Sequence, residues 1–121
     1  MLEYAVNLGR PVVIRYPRGG EEKEFKEHEK IETGKAEIIR KGKDISIIAI
    51  GKMASRAEDI GINLEKEGID VEVINARFLK PLDKEKIKAS IIKTKKVITL
   101  EDGTIINGLG TAVEEVIVEE N

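Results

Sequence analysis

Ile45, Ser46, Ile47, Ile48, Ala49 and Ile50 form a nearly unbroken β-branched run ended by Gly51, and no other feature constrains the fold as much. A strand with one wet face alternates apolar and polar side chains. A run that is apolar in both registers needs cover on both faces, as in a parallel sheet flanked by helices. The following residues supply such cover. Met53, Ala57, Ile60 and Leu64 recur at helical spacing, with Glu58, Asp59, Glu65 and Lys66 on the opposite side. Gly68 stands where such a helix stops. Ile69 to Asn75 reads as a second strand, and Asp83, just after Pro81, is placed to cap a helix beginning at Lys84. Ile87 and Ile91 give that helix its apolar edge. Val97, Ile98, Thr99 and Leu100 read as a third strand, and Ala112, Val113, Val116 and Ile117 outline a last helix. From Gly34 onward the pattern predicts an α/β fold: a mixed, mainly parallel sheet with helices on both faces.

Before Gly34 the chain reads differently. Leu2, Ala5 and Val6 suit the tail of a helix stopped by Gly9, and Val12, Val13 and Ile14 predict a short strand that opens into RYPRGG. Residues 21–30 are charged with few apolar anchors, as in an exposed linker. Ala36 to Arg40 predicts a further strand, which the tight KGKD connection would place antiparallel beside the Ile45 strand. A helix uncapped at the very start and a sheet this small lead to the expectation that both ends are cuts in a longer protein.

Composition removes several classes of function. The 121 residues carry 21 basic and 23 acidic side chains, interleaved, and only 3% aromatics. Nucleic-acid binding normally brings a basic surplus and stacking surface, so no nucleic-acid partner is expected. There is no apolar run long enough for a membrane span, hence no membrane partner. Cysteine is absent, which excludes disulfides and thiolate zinc sites and makes a cytoplasmic setting the expectation.

RYPRGG is the strongest chemical candidate. Pro17 fixes its own φ and extends Tyr16, while Gly19 and Gly20 allow a sharp reversal, so Arg15 or Arg18 can be presented in a set direction. A guanidinium fork suits phosphate. The competing reading is a domain-junction turn whose arginines pair with linker glutamates. Gly108, Leu109 and Gly110 are half of a dinucleotide loop, but close packing of a helix start explains them better. Glu101 and Asp102 end a strand, where ligands gather, yet neighbours on an extended stretch point opposite ways and cannot easily share an ion. His28 sits between Glu27 and Glu29 in the linker and reads as a solvated surface residue. No nucleophile, general base or metal cluster is visible, so no catalytic, cofactor-binding or metal residue is assigned.

Taken in order, PVVIRYPRGG, ETGKAEIIRKG, ISIIAIGKMASRA, EGIDVEVINARFLKPLD, VITLEDG and NGLGTAVEE resemble the C-terminal transketolase-type region of the 1-deoxy-D-xylulose-5-phosphate synthase family across essentially the whole chain. KPLD is shared widely among transketolase-like enzymes; RYPRG is the sharper signal. The resemblance implies residues 1–18 as the tail of a pyrimidine-binding domain, 19–34 as linker, and 35–121 as an incomplete transketolase C-terminal domain. It implies a parent enzyme, a homodimer in which thiamine diphosphate and magnesium serve the condensation of pyruvate with glyceraldehyde 3-phosphate. The products are 1-deoxy-D-xylulose 5-phosphate and carbon dioxide, for isoprenoid, thiamine and pyridoxal precursors. Arg18 is implied as the acceptor-phosphate residue, with Arg15, Tyr16 and Pro17 in support. The cofactor-contacting segments are expected before Met1 and a closing strand and helix after Asn121, so the chain alone is expected to be inactive and without cofactor. One departure stands out: Asn107 and Gly108 occupy a place where the family commonly has two glycines. A 2-oxo-acid dehydrogenase β subunit or another transketolase-like enzyme, and a stand-alone dimerisation or binding module, are the competing readings.

Overall fold

The computed structural model describes residues 1–16, 18, 19 and 29–119. Its elements run α1 (Leu2–Asn7), β1 (Glu37–Arg40), β2 (Ile45–Ala49), α2 (Met53–Lys66), β3 (Val71–Asn75), α3 (Lys84–Thr94), β4 (Val97–Leu100) and α4 (Leu109–Glu119). The sheet has the order β1-β3-β2-β4. β2 lies parallel to both β3 and β4, and β1 is antiparallel to β3. The mixed, mainly parallel α/β fold expected from the pattern is present.

The two-sided cover predicted for β2 follows from side-chain alternation. Ile48 and Ile74 point to one face, where they pack with Ile87 of α3 and Leu109, Val113 and Val116 of α4. Ile47, Ala49, Val71 and Val73 point to the other, against Ala54 and Ala57 of α2. The face α2 uses is rotated from the expected stripe. Ala54, Ala57 and Gly61 are its buried residues, and Ile60 is left exposed. Small side chains win because the helix lies close to the sheet: a Cβ on Gly61 would stand 3.3 Å from Val73 Cγ2 and 3.2 Å from Arg40 Cδ.

The α3 face also buries polar groups, and each is partnered. Ser46 Oγ bonds Ser90 Oγ at 2.6 Å and Thr94 Oγ1 at 2.7 Å. Glu72, opposite Ser46 in the sheet register, accepts from Ser90 Oγ and Lys93 Nζ. Asp83 caps α3 as expected, accepting from Lys86 N at 3.2 Å, and its second oxygen accepts from Ala36 N at 2.9 Å.

Two sequence expectations are corrected. β1 does run antiparallel, but it pairs with β3 and not with β2, because β3 and β4 already occupy both edges of β2. The KGKD turn crosses instead over the start of β3: Lys43 N and Asp44 N both donate to Asp70 O, at 3.2 and 2.9 Å. Gly42 passes so close that a Cβ would overlap the Val71–Glu72 backbone. Val12, Val13 and Ile14 form no strand; the segment is irregular and Val13 is 98% exposed. β-branched residues favour extended backbone, but a strand exists only against a partner, and none of the described strands is beside it. Most of the expected linker, with His28, falls outside the described residues. Among the described residues no helix is long and apolar enough to cross a membrane.

Candidate functional site

In parallel sheets ligand chemistry gathers at the carboxyl ends of the strands. Here β2 ends into Gly51 and Lys52, β3 into Ala76, Arg77 and Phe78, and β4 into Glu101, Asp102 and Gly103. Contacts from the N-terminal segment reach two of these ends and Thr33. Tyr4 meets Phe78 edge-on, ring centroids 6.0 Å apart, and its hydroxyl bonds Thr33 Oγ1, to which Arg10 Nη2 also donates at 3.3 Å. Farther along, Arg15 Nη2 donates to the Asp102 carbonyl oxygen at 3.1 Å. Arg15 is thereby brought to the carboxyl end of β4, although nothing in local sequence joins them.

Arg15 and Arg18 are separated in role. Arg15 is engaged with the β4–α4 loop. Arg18 is exposed, and its guanidinium has no partner among the described residues. Neither arginine pairs with a linker glutamate among those residues. The side chain of Asp102 turns to Lys52, with which it forms an ion pair. The hydrogen bond and charge of Lys52 hold the Asp102 carboxyl below its usual range, and Arg15 and Arg56 add to the effect. Three cationic side chains therefore face one carboxylate at this edge.

Glu101 and Asp102 diverge, as extended neighbours must. Glu101 turns inward, and its Oε2 accepts from Leu109 N at the start of α4, satisfying one of the donors every helix start leaves open. Glycine at 108 follows from this, since a Cβ would overlap Glu101 Oε1. A Cβ on Gly110 would lie 3.4 Å from Thr99 Oγ1. The Gly108-Leu109-Gly110 motif thus serves helix packing. Asn107 adopts φ 59°, a left-handed conformation that asparagine tolerates and glycine adopts freely. The departure at this position keeps the backbone shape that a glycine pair would permit.

A second polar centre was not read from the sequence. Glu37 and Arg77 pair at 2.7 Å with side chains 0% and 2% exposed. Glu37 Oε1 accepts from Glu29 N at 3.1 Å, while Arg77 donates to the carbonyls of Glu29 at 2.9 Å and Lys30 at 3.3 Å. The pair therefore fastens Glu29 and Lys30 to the sheet. Its only sequence signals are an acid at the head of β1 and an arginine two residues beyond the end of β3. Among the described residues no three His, Cys, Asp or Glu side chains converge on a point where a metal ion could sit.

Residues 34–121 match the family model described as transketolase, C-terminal domain. The chain is 39% identical over 122 residues to 1-deoxy-D-xylulose-5-phosphate synthase of Syntrophomonas wolfei subsp. wolfei, covering 99% of this chain and 19% of that protein. It is 44% identical over 119 residues to the synthase of Dictyoglomus turgidum, covering 97% and 19%. Among solved structures it resembles a split gene transketolase, described as an inactive beta4 tetramer, with a TM-score of 0.89 and 37% identity over 98% of this chain and 40% of the other. The chain thus spans about a fifth of the length of the curated relatives it matches.

Proposed function

The chain belongs to the transketolase C-terminal domain family, and from that premise we propose that it forms the C-terminal part of a thiamine-diphosphate synthase of the 1-deoxy-D-xylulose-5-phosphate type. In this reading the whole enzyme joins pyruvate to glyceraldehyde 3-phosphate and releases carbon dioxide, supplying precursors for isoprenoids, thiamine and pyridoxal. Identity of 39% and 44% to two synthases, carried over nearly every residue of the chain, supports it. Both of these relatives bear the synthase name and not that of a 2-oxo-acid dehydrogenase β subunit. Assembly as a homodimer belongs to the same proposal.

This chain's own contribution is substrate positioning. In this proposal the cofactor's carbanion chemistry belongs to the rest of the enzyme. Arg18 supplies the acceptor contact: an exposed guanidinium, followed in sequence by two glycines and three residues after the Arg15 that reaches the carboxyl end of β4, able to donate two parallel bonds to a phosphate. The exposure of Arg18, which has no partner among the described residues while Arg15 is engaged, is the observation that carries this assignment.

The test is Arg18→Ala in the full synthase. Loss of a charge-assisted contact of about 1.5–3 kcal/mol should lower kcat/KM for glyceraldehyde 3-phosphate roughly ten- to 150-fold. Decarboxylation of pyruvate and the use of unphosphorylated glyceraldehyde should change little, since neither offers Arg18 a phosphate. Arg18→Lys should recover part of the loss. Equal losses with both acceptors would end the phosphate assignment.

A further inference from the structure

What holds the loop that carries Arg18 lies three residues upstream. Among the described residues no backbone–backbone hydrogen bond secures residues 11–16, and Val13 and Tyr16 face solvent. Among the described residues its one polar anchor is the bond from Arg15 Nη2 to the Asp102 carbonyl oxygen, 3.1 Å long and spanning 87 positions of sequence.

Two further features converge on this contact. Gly103 adjoins the accepting carbonyl, and a Cβ there would stand 2.6 Å from Arg15 Nη2 and 3.4 Å from its Cζ. Gly103 is not in the left-handed region, so its backbone does not call for glycine. The space is taken by the guanidinium. On the other side, Lys52 beyond β2 pairs with the Asp102 carboxylate and ties the β4–α4 loop to the neighbouring strand end. That pairing helps to set the direction in which the Asp102 carbonyl points.

We propose that Arg15 is a positioning residue for acceptor recognition: docked on the Asp102 carbonyl in the room left by Gly103, it sets where Arg18 presents its guanidinium. The inference rests on the phosphate reading of Arg18 and deepens it. It also gives Gly103 a role that no backbone requirement explains.

Gly103→Ala is a clean probe. The three atoms nearest its new methyl all belong to the far end of the flexible Arg15 side chain, so it is Arg15 that is displaced. The melting temperature should hold or rise slightly, because alanine reduces the freedom of the unfolded chain. In the full synthase, Gly103→Ala and Arg15→Ala should each raise KM for glyceraldehyde 3-phosphate roughly three- to tenfold, the scale of one exposed charge-assisted bond. Both should leave kcat and the KM for pyruvate unchanged, and the double variant should match either single one. A normal KM in Gly103→Ala would overturn the proposal. So would equal KM changes for phosphorylated and unphosphorylated acceptors while Arg18→Ala still discriminates between them.

Arg18→Ala run alongside separates the two ideas. If that variant fails to discriminate the acceptors, the phosphate reading falls alone. Positioning is then judged by the backbone amide resonances of Arg18 and Gly19 in the 121-residue chain. Matching displacements in Gly103→Ala and Arg15→Ala support it, and unmoved resonances in Gly103→Ala overturn it.

Discussion

Glu37 and Arg77, forty positions apart, meet at 2.7 Å in the buried margin of the sheet, and between them they hold three backbone groups of Glu29 and Lys30. A buried pair is costly to break from one side, because the remaining charge keeps its burial without its partner. Glu37→Ala or Arg77→Ala should each lower stability by about 3–5 kcal/mol, read by chemical denaturation. The double variant should lose less than the sum of the two singles, since neither charge is then stranded. Additive losses would mean that the two side chains act independently.

Glycine positions divide by what surrounds them. At Gly42 a Cβ would overlap the backbone of Val71 and Glu72, which cannot swing aside. Gly42→Ala should therefore cost about 1–3 kcal/mol or more through forced backbone shifts. Gly103→Ala, which meets only a mobile guanidinium, should be close to neutral for stability. Similar melting temperatures for the two variants would contradict the close crossing of the KGKD turn over β3.

Asn107, at φ 59°, should accept glycine readily and reject β-branched residues. Asn107→Val should cost about 1–2 kcal/mol, the penalty of a left-handed conformation for a side chain branched at Cβ. Asn107→Gly should fall within a few tenths of wild type in the same denaturation experiment. A stable Asn107→Val would show that the loop does not need this conformation.

Asp102 links the edge to pH. Its carboxyl is held below the ordinary value of 3.8, chiefly by the Lys52 hydrogen bond and charge. With the folded value depressed, the ion pair contributes stability above the unfolded value, and that contribution is lost as pH falls through the lower folded one. A carbon-13 titration of the Asp102 carboxyl should show a midpoint below 3.8 that moves upward in Lys52→Met. At the alkaline end, Lys84 is raised by its bond to Glu119, so that pair contributes below 10.5 and fades as pH climbs through the higher folded value. An unmoved Asp102 midpoint in Lys52→Met would remove Lys52 as the cause.

Periodicity in the sequence was sufficient for every element whose partners could be inferred from its own side chains. The β2 run, the Asp83 cap and the order of elements from β1 to α4 follow from apolar runs, helical spacing of 3.6 and local capping chemistry. The divergence of Glu101 from Asp102 was likewise legible, because adjacent extended residues point apart. What only the tertiary structure decided are relations between segments that carry no mark of one another. β1 chose β3 over its sequence neighbour because both edges of β2 were filled. Val12 to Ile14 stayed irregular because extended propensity does not supply a pairing edge. Ile60 gave way to Gly61 on the buried face of α2 because distance to the sheet, not hydrophobicity, set the choice there. Arg15 found Asp102, and Glu37 found Arg77, only once the chain had folded, since a charge in a sequence specifies an appetite for a partner but not its address.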